Sequence, residues 1–194
     1  QLVPFRSQVE TIIGNLLSAD AAFSSPLLEE REVRNATVVV WGSDDGLCGA
    51  YNVNIYKQLV ALLGKMRAEL GDSAVIRVVP VGAKIAKAAR KLTLSNVTVE
   101  PAEGVCAKSD DTVVKTFTRS LVDSFLAGDT DRVELLYMNF KSVSRQSPRV
   151  DTLLPVTTVA LGAAEEDAKS SRPYIFEPDA NTIFNKVLPL FILS

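Results

Sequence analysis

The sequence predicts an α/β fold with three layers, α/β/α. Its sheet is five-stranded and mostly parallel, with one antiparallel edge strand, and a pair of terminal helices stands beside it. Three observations carry this expectation. Short β-branched runs alternate with segments of helical period from residue 36 onward. The last two strand-like runs, 132–140 and 149–156, lie too close together for a helical crossover. Apolar helical segments near both ends of the chain fall outside the alternation.

Taken in order, QVETIIGNLLS at 8–18 puts Val9, Ile12, Ile13, Leu16 and Leu17 on one helical face. A loop containing Pro26 follows. ATVVVWG, 36–42, is β-branched and closed by glycine, as a buried strand is. From Asn52 to Leu70, Ile55, Leu59, Leu62, Leu63, Met66 and Leu70 recur at helical spacing, and Gly71 supplies the stop. AVIRVVPVG (74–82) is a second strand, AKIAKAARKL (83–92) a short helix and NVTVE (96–100) a third strand. Ser109 or Asp110 caps a helix carrying Val114, Phe117, Leu121 and Phe125, which Gly128 ends. RVELLYMNF, 132–140, is the fourth strand, and RVDTLLPV, 149–156, pairs antiparallel with it. GAAEEDAKSSRP, 162–173, reads as a mobile acidic linker. ANTIFNKVLPLF, 180–191, is apolar and helical in pattern. The expected division is a helix in 1–25, an α/β body over 36–160, a linker over 161–173 and a C-terminal segment with its helix over 174–194. The two end helices are expected to pair as the stubs of something longer, and the opening QLVPFRSQVE suggests a piece cut from a longer chain.

Composition narrows the function. Twenty-one basic against 23 acidic residues gives a net charge of −2, without the basic excess of a nucleic-acid binder. No apolar run approaches the length of a membrane span. There is no histidine, which removes Ser-His-Asp and Cys-His triads and most catalytic zinc sites. Cys48 and Cys106 make neither a disulfide framework nor a zinc site, and two free thiols in a reducing compartment are expected.

The stretch WGSDDGLCGAYN, 41–52, joins the first strand to the first body helix, where phosphate-binding loops stand. The dinucleotide pattern G-x-G-x-x-G fails because Asp44 occupies the position two before Gly46. The P-loop pattern fails because no Lys-Ser/Thr pair follows. Asp44 and Asp45 would also repel a phosphate. The glycines are then expected to make a sharp corner with positive φ, at Gly49 among them. Lys84, Lys87 and Lys91 line one face of a short helix, either as a solvated face or as a contact for an acidic partner. Tyr174, Phe176 and Pro178 cluster as an aromatic anchor, and Trp41 is expected in the core or at its rim.

Several segments together resemble the gamma subunit of the F-type rotary ATP synthase. GLCGAYN at 46–52, preceded by VVVWGSDD, resembles the family's strand followed by T-S-D-[RK]-G-L-C-G and an N. NFKSVSRQSPRVDTLLPV, 139–156, resembles its F-x-S…Q-x-P…L-L-P segment, and YIFEPD, 174–179, its Y-x-[YF]-E-P-[DS]. PLLEEREV, 26–33, is similar to the segment before the family's first strand. The motif residues are Gly46, Leu47, Cys48, Gly49, Asn52, Gln146, Pro148, Leu153, Leu154 and Pro155. Asp45 stands where the family usually carries a basic residue, and this piece is expected to lack the family's long terminal helices, with 2–20 and 180–193 as the bases of their coiled coil.

The resemblance implies a Rossmann-like body from which two coiled-coil helices leave together. It implies a central-stalk subunit that is not itself a catalyst and holds no cofactor or metal. Such a subunit couples rotation of the c ring to ATP synthesis or hydrolysis at alpha–beta interfaces. Its foot touches epsilon and the c ring, and Tyr174, Phe176, Glu177 and Pro178 match the motif assigned to that contact. The implied partners are alpha, beta, epsilon and the c ring, with no nucleic acid. The implied place is peripheral, on the cytoplasmic face of the inner or plasma membrane, with the isolated piece soluble. Two other readings remain: a stand-alone α/β domain binding a small ligand at the carboxyl ends of its strands, and a redox switch using Cys48 and Cys106.

Overall fold

A computed structural model describes residues 26–42, 49–106, 109–142 and 145–156. The expected terminal helices, the acidic linker, Gly46–Cys48 and Tyr174–Pro178 lie outside these residues. A 3-10 turn, Pro26–Leu28, leads into β1 (Asn35–Trp41), α1 (Gly49–Leu70), β2 (Val75–Val81), α2 (Ala83–Ala89), β3 (Val97–Val99), α3 (Asp111–Leu126), β4 (Arg132–Ser142) and β5 (Arg145–Leu154). The five strands form one sheet in the order β3-β2-β1-β4-β5. β1 pairs parallel with β2 and β4, β2 parallel with β3, and β4 antiparallel with β5. The fold class is the one expected.

Alternation along the strands divides the core in two. Val38 and Val40 of β1, Ile76 and Val78 of β2 and Leu136 and Met138 of β4 face Ile55, Leu59, Leu63 and Met66 of α1 and Ile85 and Ala89 of α2. The alternate residues Val39, Trp41, Val79, Val81, Leu135 and Tyr137 face Val114, Leu121, Val122 and Phe125 of α3. The strands are apolar on both faces because both faces are covered. Each large side chain so buried contributes roughly 1.5–3 kcal/mol.

The helix signals work as chemistry predicts at α3. Asp110 Oδ1 accepts from the Val113 amide at 3.0 Å, which makes it the N-cap. Gly128, at φ 82°, follows the last turn, and Gly71, at φ 83°, does the same for α1.

Three boundaries differ from the sequence expectation. α1 starts at Gly49 rather than Asn52, so Gly49, Ala50 and Tyr51 belong to its first turn. α2 stops at Ala89, and Lys91 and Leu92 bond back to Ala88 and Ala89 in a tightened turn. β4 and β5 meet in a longer hairpin, with β5 beginning at Arg145 instead of 149. Polar Arg145–Pro148 hides that strand start from an apolar pattern. Pro148 is tolerated because β5 is the sheet's edge strand.

Candidate functional site

The carboxyl ends of the parallel strands are where an α/β sheet would hold a ligand. There, Gly42 follows β1 and donates its amide to Val81 O at 3.0 Å. A Cβ at Gly42 would lie 2.6 Å from Ile85 Cγ2 and 2.9 Å from Ile85 Cβ. Close approach by α2, not positive φ, is therefore what requires glycine at this position. Asn52 is buried beside it, with Oδ1 3.1 Å from the same point. The Tyr51 hydroxyl donates to Trp41 O at 3.2 Å and ties the first turn of α1 to the strand it follows. Trp41, Tyr51 and Met138 are all buried near the ends of β1 and β4, where the strand order reverses.

The expected corner changes in detail. Gly49 is the first residue of α1, a position with helical and hence negative φ. The left-handed conformation expected there does not occur. Positive φ near the strand ends is found instead at Gly82, φ 114°, the N-cap of α2.

Of the other motif residues, Gln146 stands opposite Phe140 and Pro148 opposite Met138 along the hairpin. Leu153 and Leu154 are buried in the α3-side core. Pro155 follows a cis peptide bond and is half-buried. Trp41 is core, as expected. Lys84, Lys87 and Lys91 are exposed. Cys106 is a free thiol, half-buried, and its amide donates to Ser109 Oγ at 2.8 Å. No group of side chains suited to hold a metal occurs among the described residues.

Two polar networks at the amino end of the sheet were not singled out from sequence. Arg31 donates from Nη2 to Phe125 O at 2.9 Å and to Thr130 O at 2.7 Å. Phe125 O lies in the last turn of α3, where carbonyls lack helical partners and a cation is favoured. Asp131 Oδ1 lies 3.5 Å from Arg31 Nε, and its Oδ2 accepts from the amides of Arg34 and Asn35. This arginine and aspartate clamp the entry of β1 to the end of α3.

On the opposite face, Glu134, the third residue of β4, is buried. It accepts from Arg132 Nε on its own strand and from Thr152 Oγ1 across the pair, at 2.9 Å. Arg132 also reaches Glu69 of α1 at 3.1 Å. Burial works against the Arg132 charge, but Glu134 and then Glu69 outweigh it and hold its pKa above the usual guanidinium value. The available signal was an acid inside the apolar run VELLYM with an arginine two residues before it, hence on the same face.

A sequence model described as ATP synthase matches residues 1–194, the whole chain. The chain belongs to the ATP synthase gamma family. It is 30% identical over 196 aligned positions to the ATP synthase gamma chain of Bacteroides thetaiotaomicron, covering 97% of this chain and 64% of that one. It is 32% identical over 192 positions to the gamma chain of Phocaeicola vulgatus, covering 97% and 63%. The chain therefore spans a little under two thirds of the length of these relatives. Among solved structures, it is similar to a chain of the mitochondrial ATP synthase central stalk and c ring of Tetrahymena thermophila, at 15% identity and a TM-score of 0.49 over 99% of this chain and 92% of that one. For this gamma-family chain, the buried motif positions Leu153 and Leu154 act in packing.

Proposed function

We propose that this chain is the foot of the ATP synthase rotor, coupling c-ring rotation to ATP synthesis or hydrolysis at alpha–beta sites without being a catalyst itself. Membership of the family supports this choice of complex. The observation that carries the mechanical role is the bond from the Val156 amide to Leu27 O, 2.8 Å. It brings the two ends of the described body side by side. The segments before Pro26 and after Val156 therefore leave from one place, as the two strands of a shaft must.

The body is suited to bear torque. Its sheet is packed on both faces, and a close-packed interior transmits strain with little compression. The two polar networks at its amino end add fixed links between helix and strand. In this reading Tyr174, Phe176, Glu177 and Pro178 contact epsilon and the c ring, and the whole associates peripherally with the membrane through those partners. No helix among the described residues is long and apolar enough to cross a membrane.

Assembly on the ring tests the reading. Glu177→Lys is expected to weaken recovery of the chain with c ring and epsilon in reconstituted membranes while leaving its melting temperature unchanged. Full recovery of the variant would remove Glu177 from the contact.

A further inference from the structure

The two ends of the body are joined to its sheet in different ways. The 3-10 turn at Pro26–Leu28 is tied to Val156 by the amide bond to Leu27 O, and together they form one root. Val156 follows β5, the edge strand. The turn leads through residues 29–34 into β1, the middle strand of the five. A body held along one line can rock about it, and a second line stops the rocking. The edge strand supplies the first line, and residues 29–34 must supply the second.

Those residues belong to no helix or strand. Glu29, Glu30, Glu32 and Arg34 are exposed, and the pair of Arg34 with Glu32 is solvated on both sides. A stretch with few buried contacts and no ladder opens easily. Its strand end is held: the Arg34 amide donates to Asp131, the Arg34 carbonyl accepts from the Val75 amide at 2.9 Å, and Val33 packs on the α1-side core. Its root end is held by burial of Leu27 in the α3-side core. Apolar burial is non-directional and permits sliding.

Between these ends the tie to the body is Arg31. Its bonds to Phe125 O and Thr130 O are directional, and both receivers are fixed. Phe125 is fully buried. Thr130 is buried as well, with its hydroxyl 2.9 Å from that of Thr37 in β1. Asp131, which takes the Arg34 and Asn35 amides, is itself the ion partner of Arg31.

We infer that Arg31 is a positioning residue for rotary coupling: its fork on Phe125 O and Thr130 O stiffens residues 29–34 into a strut between the root and the middle of the sheet. The inference rests on the rotor reading given above.

Two measurements keep the inference and that reading apart. The first is amide exchange on the 194-residue chain. In Arg31→Ala the Arg34 and Asn35 amides are expected to exchange at least tenfold faster. Leu63→Ala, in the α1-side core, is expected to lower the melting temperature as well but to leave those two amides within twofold. The second is the number of ions pumped per ATP hydrolysed, in membrane vesicles carrying the assembled synthase of the source organism. A chain that is merely less stable lowers pumping and hydrolysis together and keeps the ratio. Arg31→Ala is expected to lower the ratio at least twofold, Arg31→Lys to fall between it and the unaltered chain, and Leu63→Ala to keep it. Where Arg31→Ala does not assemble, Arg31→Lys decides. Unchanged exchange at Arg34 and Asn35, or an unchanged ratio in the assembled Arg31 variants, overturns the inference and leaves the rotor reading standing. Absence of the unaltered chain from the purified synthase overturns the rotor reading, and the coupling role of Arg31 with it.

Discussion

The guanidinium of Arg31 lies over the ring of Phe125, 4.0 Å from its centroid, while donating a hydrogen bond to the same residue's carbonyl. One side chain thus satisfies the end of α3 and stacks on a residue at the centre of the core. It joins the segment before β1 to a helix 94 positions away in sequence.

Replacing Arg31 removes two charge-assisted bonds and the stacking together. Arg31→Ala is expected to cost about 2–3 kcal/mol in chemical denaturation. Arg31→Lys should recover less than half, because the shorter lysine lacks the planar guanidinium that lies over the Phe125 ring. A loss below about 0.5 kcal/mol for Arg31→Ala would show that the clamp is ornamental.

Glu134 and Arg132 should behave as a coupled pair. Glu134→Leu alone removes the acid that Arg132 Nε and Thr152 Oγ1 donate to, leaves Arg132 with Glu69 as its partner, and is expected to cost about 1–3 kcal/mol. Adding Arg132→Met should restore at least half of that loss. The raised pKa of Arg132 fixes the sign of its pH dependence: its charged form stabilises the fold, fully so below the usual guanidinium value and lost only as pH rises beyond it. Titration of Arg132 therefore contributes no slope to the melting temperature between about pH 6 and pH 9. Additive losses in the double variant would contradict the coupling.

Two glycines should respond oppositely to the same change. Gly42→Ala puts a methyl 2.6 Å from Ile85 Cγ2 and should destabilise by about 1–3 kcal/mol. Ile85→Ala in that background should show favourable coupling, since it removes the closest atom. Gly64→Ala meets open space within the helix and should stabilise the isolated chain by about 1 kcal/mol. Thermal melts of the variants decide both; a destabilised Gly64→Ala would mean that something already covers that flank.

Asp110 is the N-cap of α3, and Asp110→Ala should cost about 1 kcal/mol. Asp110→Ser should be close to neutral. Equal stability of the alanine variant would put the start of α3 elsewhere.

The fold was legible because its signals are local. β-branched runs, helical spacing and glycines after helices act within a few residues, so α3 with its Asp110 cap and the parallel β1, β2 and β4 could be read directly. The start of β5 could not, because Arg145–Pro148 owes its strand state to pairing with β4 rather than to its own composition. Gly42 was read as a turn residue, but its reason lies in Ile85, which only packing brings near. Arg31 and Asp131 are 100 positions apart and meet across three elements, so no spacing rule could join them. The epsilon and c-ring contact came from motif resemblance alone, since Tyr174–Pro178 fall outside the described residues.

The rotor account is tested most directly by titrating the chain with the epsilon subunit of the same organism, read by calorimetry. The account predicts a saturable one-to-one complex. Absence of binding by a chain shown to be folded under the same conditions would contradict it.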